Sequence, residues 1–405
     1  MRYQPIPIAL LAVGQPLPVD VWSPQGQLLL RKGQPIVSER HREKLYEYEA
    51  SATVEEAQAW QRAYERMVYS MWQEGASVEE IARAPMPMAI LRRDYMTGVQ
   101  LKGGWLDLQE VLRGLLYRGG LALNPLPRLA GIETKARELL EANPDDSLFC
   151  LFQALADDTI GYCATNALLC AAICELVGAK MGLPLGVRHS LFAAALTMNI
   201  GMAREQDYLA KQGTAPTTEQ RQLIMDHPTL SEEILLGFGV DDPDELDIVR
   251  WHHYPDSPDA QPRSLTCRHI LHMADVFVAK MASRTTREAL APIEAAKSIF
   301  LKNEGQETAA ISAAMASVVG FFPPGSYVRL ANEEIAVVAR RGARANTPWV
   351  ISIVDRTGMP ILIYDCKDTT KPGNAIAAPL PAHKCKVMVN VDKMRRARDR
   401  ALAAT

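Results

Sequence analysis

The sequence lacks the features that mark the more extreme classes of protein. No uninterrupted apolar stretch reaches the roughly 20 residues that a membrane-spanning helix needs, so we predict no membrane span. Positive charge is not in excess, because 44 lysines and arginines stand against 47 aspartates and glutamates. No global positive field therefore draws the chain to a nucleic acid polymer. Aromatic residues make up only 6% of the chain, whereas alanine and leucine are abundant, which favours helix.

Cysteine usage and the N-terminus both indicate a reducing, cytoplasmic location. The seven cysteines are an odd number without a CxxC spacing, which argues against a disulfide framework and against a common metal motif. Three of them fall on one face of a predicted helix, where thiols pack as small hydrophobic groups: Cys163, Cys170 and Cys174. The first apolar run is broken by proline and glycine and leads to no small-residue cleavage site, so we predict no signal peptide.

Hydrophobic periodicity divides the chain into four segments. Residues 1–53 predict a small module of strands and a helix, because two apolar runs flank a turn signal. Residues 54–145 predict a helical connector that packs on the next domain. Residues 146–322 predict a helical bundle, in which the stretch LLCAAICELVGAKMG is apolar on nearly every face. Residues 323–405 predict a small β module that ends in a basic helix.

The helix predicted from Val54 to about Glu74 carries an apolar stripe that could serve two purposes. It could join two copies of the chain as a homodimer, or it could pack within one chain. We favour the contact within the chain, because stripes of this width are common on buried helices. The stripe consists of Trp60, Tyr64, Met67, Val68 and Met71.

The chain contains only eight histidines, and three of them fall in two short motifs. His227 precedes a proline within a predicted helix, and the adjacent pair His252 and His253 ends the next helix. Asp275 follows on a further helix. Imidazole and carboxylate groups from successive helices of a bundle are how such folds build metal sites. Alternatively, a histidine pair at a helix C-terminus could simply complement the helix dipole.

These motifs resemble the HD-GYP family, whose enzymes hydrolyse cyclic di-GMP. The resemblance extends from about Gly161 to Gly325, and a short module like the N-terminal one often precedes this domain. The matching stretches are TAPTTEQRQLI, DHPTLSEEILL, VRWHHYPD, HMADVFVAKMASR and VVGFFPPGSYVRLANEEIAVV. The resemblance implies a mainly α fold, an HD-type helical bundle with a small N-terminal α+β module and a small C-terminal β module.

The resemblance also implies that most of the family's metal ligands have been replaced. The family's first histidine aligns with Ala164, and its name-giving His-Asp pair aligns with Met198 and Asn199. The lysine that follows aligns with Met202, while Gly201 is kept and anchors the alignment. The family's Gly-Tyr-Pro loop is also missing. We therefore expect no catalytic residue at these four positions.

The replaced residues cannot support the family's chemistry. The reaction needs two or three adjacent cations that hold a phosphodiester and create a hydroxide nucleophile. Asn199 carries no charge with which to bridge two metals, and methionine sulfur is a poor ligand for hard cations. The resemblance leaves four residual ligands, which could hold one divalent metal, zinc or iron: His227, His252, His253 and Asp275.

Three functions are consistent with this pattern. The first is a catalytically silent protein of bacterial cyclic di-GMP signalling that binds cyclic di-GMP or a signalling protein partner. The second is a residual one-metal phosphodiesterase that uses the three histidines, and the third is a purely structural subunit. Without the lysine, few cations are left to hold phosphates, so binding of a partner is at least as plausible as binding of a nucleotide. The candidate cations are Arg188, Arg204, Arg250, Arg263 and Arg284.

Overall fold

The computed structural model divides the chain into two compact units, Met1–Thr97 and Gly98–Thr405. The residues that it describes are 3–6, 11, 13–23, 26–54, 56–57, 60, 67, 71, 76–77, 80, 104–157, 160–282, 290, 292–300, 305–385, 387 and 389–403. Most of the helix predicted over 54–74 lies outside the described residues.

The N-terminal unit contains a small antiparallel sheet and one complete helix among its described residues. Strands β1 (Tyr3–Pro5), β2 (Val21–Trp22), β3 (Leu28–Leu30) and β4 (Ser51–Thr53) lie in the order β1-β4-β2-β3. Helix α1 (Glu39–Glu47) begins after Ser38, whose hydroxyl accepts a hydrogen bond from the backbone N–H of His41. The core of this unit includes Trp60 of the predicted apolar stripe.

The C-terminal unit is built mainly of α-helices. The described helices before its sheet are α2 (Trp105–Leu116), α3 (Pro125–Ala142), α4 (Pro144–Ala156), α5 (Tyr162–Lys180), α6 (Leu185–Thr197), α7 (Ala203–Lys211), α8 (Thr218–Phe238), α9 (Pro243–Trp251), α10 (Leu265–Met281), α11 (Pro292–Phe300) and α12 (Gln306–Val319). Short 3-10 turns lie at Gly119–Leu121, Ile200–Met202, Pro262–Ser264, Pro372–Asn374 and Ala382–Lys384.

Helix α5 forms the centre of the C-terminal unit, because it is apolar on nearly every face. Helices α2, α4, α6, α7, α10 and α12 all pack against it. By length and composition alone α5 could cross a membrane, but 78% of its most apolar stretch is buried inside the protein. An apolar helix that neighbouring helices surround is the core of the bundle, as the sequence predicts.

A five-stranded antiparallel sheet follows the helices. Its strands are β5 (Tyr327–Leu330), β6 (Ile335–Arg340), β7 (Trp349–Val354), β8 (Cys366–Asp368) and β9 (Ile376–Leu380), in the order β8-β7-β6-β5-β9. The last helix, α13 (Val391–Ala403), buries Met394 and Ala397 in the same core as β7. A mainly α chain with two small β sheets is therefore confirmed. The four segment boundaries and the HD type of the bundle remain predictions.

A buried ion pair fixes the segment between α9 and α10. The guanidinium of Arg268 on α10 contacts the carboxylate of Asp247 on α9, and their side chains are 2% and 4% exposed. Arg268 also donates to the carbonyl oxygens of Pro255 at 2.8 Å and Gln261 at 2.7 Å. The backbone N–H of Gln261 returns a hydrogen bond to Asp247 at 2.8 Å. These contacts satisfy both charges and hold the loop that follows the histidine pair.

Removal of one partner should leave the other charge buried and uncompensated. We expect Arg268→Met to lower the free energy of unfolding by about 3–5 kcal/mol, as measured by urea denaturation. The matched control is Arg263→Met, because Arg263 makes a more exposed pair with Asp244. That variant should lose less than about 1 kcal/mol. Equal losses in the two variants would contradict the structural role of the buried pair.

Candidate metal centre

The three histidines singled out in the sequence lie together in the structure. His227 is on α8, while His252 and His253 directly follow α9. One ring nitrogen from each of the three lies within 4.8 Å of those of the other two. His227 and His252 are 1% and 0% exposed, and His253 is half-buried. The group thus joins two helices at a buried point, and we call it the histidine group.

The backbone orients the two buried rings, and the sequence explains how. Pro228 has no N–H, so it leaves free the carbonyl oxygen of Ile224 one turn earlier. Nδ1 of His227 donates a hydrogen bond to this carbonyl oxygen at 2.7 Å. Nδ1 of His252 donates a hydrogen bond to the carbonyl oxygen of Val249 at 2.7 Å. Val249 lies in the last turn of α9, where backbone carbonyls lack partners within the helix. Because a carbonyl oxygen can only accept, each Nδ1 carries the proton.

This orientation leaves two ring nitrogens without a partner. Nε2 of His227 and Nε2 of His252 are both buried, and no hydrogen bond to them exists among the described residues. A buried acceptor with no partner costs about 1–3 kcal/mol. Histidine that donates Nδ1–H to a carbonyl and presents a bare Nε2 is the arrangement of metal-binding histidine. The donor set therefore fits a divalent cation of the kind that imidazole prefers.

Burial keeps the three rings neutral. Burial, followed by the nearby His253, lowers the pKa of His227 to about 4. Burial and then the two neighbouring imidazoles hold the pKa of His252 well below its usual value. Burial also lowers the pKa of His253, although the charge of Asp275 opposes this effect. Neutral imidazole is the form that binds a metal, so no proton has to be displaced near pH 7.

Gly201 brings the turn after α6 against α8 beside His227. A Cβ atom at this position would lie 2.9 Å from the carbonyl oxygen of His227 and 2.9 Å from Cβ of Leu230, distances that real Cβ atoms essentially never show. The hydroxyl of Ser231 donates to the carbonyl oxygen of Met198 at 2.8 Å and accepts from the N–H of Gly201 at 3.0 Å. Only glycine allows this approach of two backbones.

The four positions at which the sequence resemblance predicts lost ligands are all buried. Their exposed fractions are 0% for Ala164, 0% for Met198, 6% for Asn199 and 8% for Met202. The side chains of Ala164, Met198 and Met202 contain no oxygen or nitrogen, and that of Asn199 is a neutral amide. The described residues therefore provide no second carboxylate at these positions with which to bridge two cations.

A buried polar chain that the sequence analysis missed lies nearby. Nδ2 of Asn199 lies 3.4 Å from Oδ1 of Asn166 on α5, and Nδ2 of Asn166 lies 3.4 Å from Oδ1 of Asp275. Nδ2 of Asn166 also lies 3.1 Å from the hydroxyl of Tyr162. Asp275 is not part of the mutually close histidine group. The signal in the sequence that could have revealed this chain is Asn166, a polar residue within the mainly apolar sequence of α5.

Four of the five candidate cations contact other groups of the protein. Arg188 contacts Glu175, and Arg204 donates to the carbonyl oxygen of Tyr117 at 2.7 Å. Two others pair with carboxylates on neighbouring elements, Arg250 with Glu232 and Arg263 with Asp244. Arg284 lies outside the described residues.

Acid should destabilise the metal-free protein, because the buried imidazoles bind protons less readily than the unfolded chain does. The lowered pKa of His227 contributes stability that is complete above about pH 6.5 and is lost as the pH falls towards 4. We expect the free energy of unfolding of EDTA-treated protein to fall by about 3 kcal/mol from this group. Urea denaturation at stepped pH measures it. His227→Asn should flatten the dependence, and an unchanged slope would contradict this origin.

Comparisons with known proteins give one structural similarity. No protein-family model matches the sequence, and no curated protein matches it. The solved structure of Bd1817, a HDG"Y"P protein from Bdellovibrio bacteriovorus, is similar over 78% of this chain and 99% of that one. The TM-score is 0.41 and the sequence identity is 14%. Because both values are low, this similarity does not by itself indicate a function.

Proposed function

We propose that this chain is a signalling protein of the HD-GYP type that has lost its hydrolytic centre and keeps a site for one divalent cation, zinc or iron. The observation that carries this proposal is the pair of buried Nε2 atoms of His227 and His252, which have no hydrogen-bond partner among the described residues. The order and spacing of the sequence motifs support the family.

The surroundings of the histidine group argue against hydrolysis of a phosphodiester. A multi-metal mechanism needs a carboxylate that offsets the repulsion between neighbouring cations, and Asn199 offers a neutral amide instead. Ala164 and Met198 offer no hard ligand, and Met202 offers no cation. The carboxylate of Asp275 is hydrogen-bonded to Asn166.

One bound cation would connect α8 to the end of α9 at this site. A divalent metal supplies a Lewis acid that accepts the three imidazole lone pairs. His227 comes from α8, whereas His252 and His253 follow α9, so the ligands would tie two helices together. The Nδ1–H bonds to Ile224 and Val249 already fix the ring orientations, which reduces the ordering needed for binding.

The distribution of positive charge favours a protein partner over a nucleotide. A cyclic dinucleotide carries two phosphates and needs cations or metals to hold them. Arg188, Arg204, Arg250 and Arg263 all contact other groups, and one metal would supply the only new positive charge in this region. Partner binding within cyclic di-GMP signalling therefore has the better support, and a homodimer is one form that it could take.

The metal site is tested directly by elemental analysis. We expect about one zinc or iron per chain, and we expect this content to disappear in the double variant His252→Ala, His253→Ala. Zinc at a hundredfold excess over its Kd should stabilise the metal-free protein by about 2.7 kcal/mol, seen as a rise in Tm. His41→Ala removes a histidine of the N-terminal unit and should keep the metal. A metal-free wild-type protein that shows no zinc-dependent rise would support the purely structural alternative.

Hydrolysis of cyclic di-GMP should stay at background with or without added manganese or iron. Loss of one element of metal or electrostatic stabilisation costs on the order of 100-fold in rate, and four are replaced here. Chromatography of the reaction products measures the rate. Cleavage by the wild-type protein that is absent in the His252→Ala, His253→Ala variant would replace this proposal with the one-metal phosphodiesterase.

A further inference from the structure

The loop between β7 and β8 presents large apolar side chains to water. Met359, Leu362 and Ile363 are 63%, 77% and 81% exposed. Single exposed apolar residues are common on protein surfaces, but three within five positions of one loop are an unusual concentration. We call residues 355–365 the apolar loop.

Hydrogen bonds hold the apolar loop in shape. The carboxylate of Asp355 accepts from the backbone N–H of Thr357 at 2.8 Å and from that of Met359 at 3.0 Å. Gly358 has φ of +86°, which suits glycine in a tight turn. The N–H of Ile361 donates to the carbonyl oxygen of Ile353 on β7 at 2.9 Å. The exposure of the apolar side chains is therefore a feature of an ordered turn.

A basic helix face lies beside the apolar loop. Nζ of Lys393 on α13 lies 3.4 Å from the carbonyl oxygen of Leu362. The guanidinium of Arg400 donates a hydrogen bond to the carbonyl oxygen of Tyr364 at 3.2 Å. Arg396 lies between them, and the spacing i, i+3, i+7 places all three cations on one face of α13. Arg396 and Arg356 of the loop are both exposed.

Charge along the sequence is also segregated towards this end. Residues 355–405 contain ten lysines and arginines against five aspartates, whereas residues 1–354 contain 34 basic and 42 acidic residues. Three of the ten basic residues, Lys367, Arg395 and Arg398, pair with Glu334 or Asp146 outside this segment. The same segment holds the only stretch among the described residues where three large apolar side chains are this exposed within five positions.

We propose that the apolar loop and the basic face of α13 form a peripheral contact with an anionic lipid bilayer. Exposed aliphatic side chains enter the boundary between headgroups and acyl chains, and neighbouring lysines and arginines lie over the lipid phosphates. An acidic protein surface would pair with the cations. It would bury the three apolar side chains only if it also offered an apolar pocket for each of them. The contact involves no residue of the histidine group, so it is independent of the proposed metal site.

Vesicle sedimentation tests this contact with the full chain. We expect binding to vesicles of phosphatidylcholine that contain roughly one third phosphatidylglycerol, much weaker binding to pure phosphatidylcholine, and weakening by salt. The double variant Leu362→Ser, Ile363→Ser should bind at least about tenfold more weakly. The matched control is Leu121→Ser, because Leu121 is 84% exposed at a distant position of the chain. It should bind like the wild-type protein.

A second variant tests the charge separately. Lys393→Glu with Arg396→Glu should remove the preference for phosphatidylglycerol while circular dichroism shows an unchanged fold. The proposal is overturned if the wild-type protein does not prefer anionic vesicles, or if the serine variant binds them as the wild-type protein does. It is also overturned if the same substitutions instead abolish self-association in size-exclusion chromatography, which would assign the apolar loop to an interface between copies.

Discussion

Helix α5 cannot be exposed to water on any long face, and this constraint organises the C-terminal unit. Its buried residues run almost continuously from Cys163 to Cys174, so neighbouring helices must surround it. A polar side chain on such a helix is costly unless it finds partners. Asn166 finds them in Asn199 and Asp275, which lie on the turn after α6 and on α10. The need to satisfy one buried amide thus draws three elements together.

The histidine group combines two opposing properties. The rings are packed and oriented as a binding site requires, yet the two bare Nε2 atoms lower the stability of the empty protein. Such a cost is typical of a functional site, because folding alone would favour an apolar side chain at each position. Ala164 and Met198 show the other outcome, because both are apolar side chains buried in the core of the C-terminal unit.

Local pattern predicts the parts of the structure that depend on local chemistry. The apolar stretch of α5, the position of His227 before a proline within a helix and the position of His252 at a helix end are all predicted from short segments. The pair Arg268–Asp247 and the chain through Asn166 could not be predicted, because each joins residues far apart in sequence. Whether two distant polar groups meet depends on how the helices rotate about their axes, and a single sequence shows only that each helix has a buried face.

The close approach at Gly201 has a mechanical consequence. Where side chains separate two elements, rotamer changes can absorb a small displacement of one before the other moves. At Gly201 the backbone of the turn touches the backbone of α8 at His227, and Ser231 ties them by two hydrogen bonds. No side chain of Gly201 separates the two backbones at this contact. A displacement of α8 at His227 would therefore require either the loss of these hydrogen bonds or a matching displacement of the turn, and α7 begins at Ala203 directly after that turn.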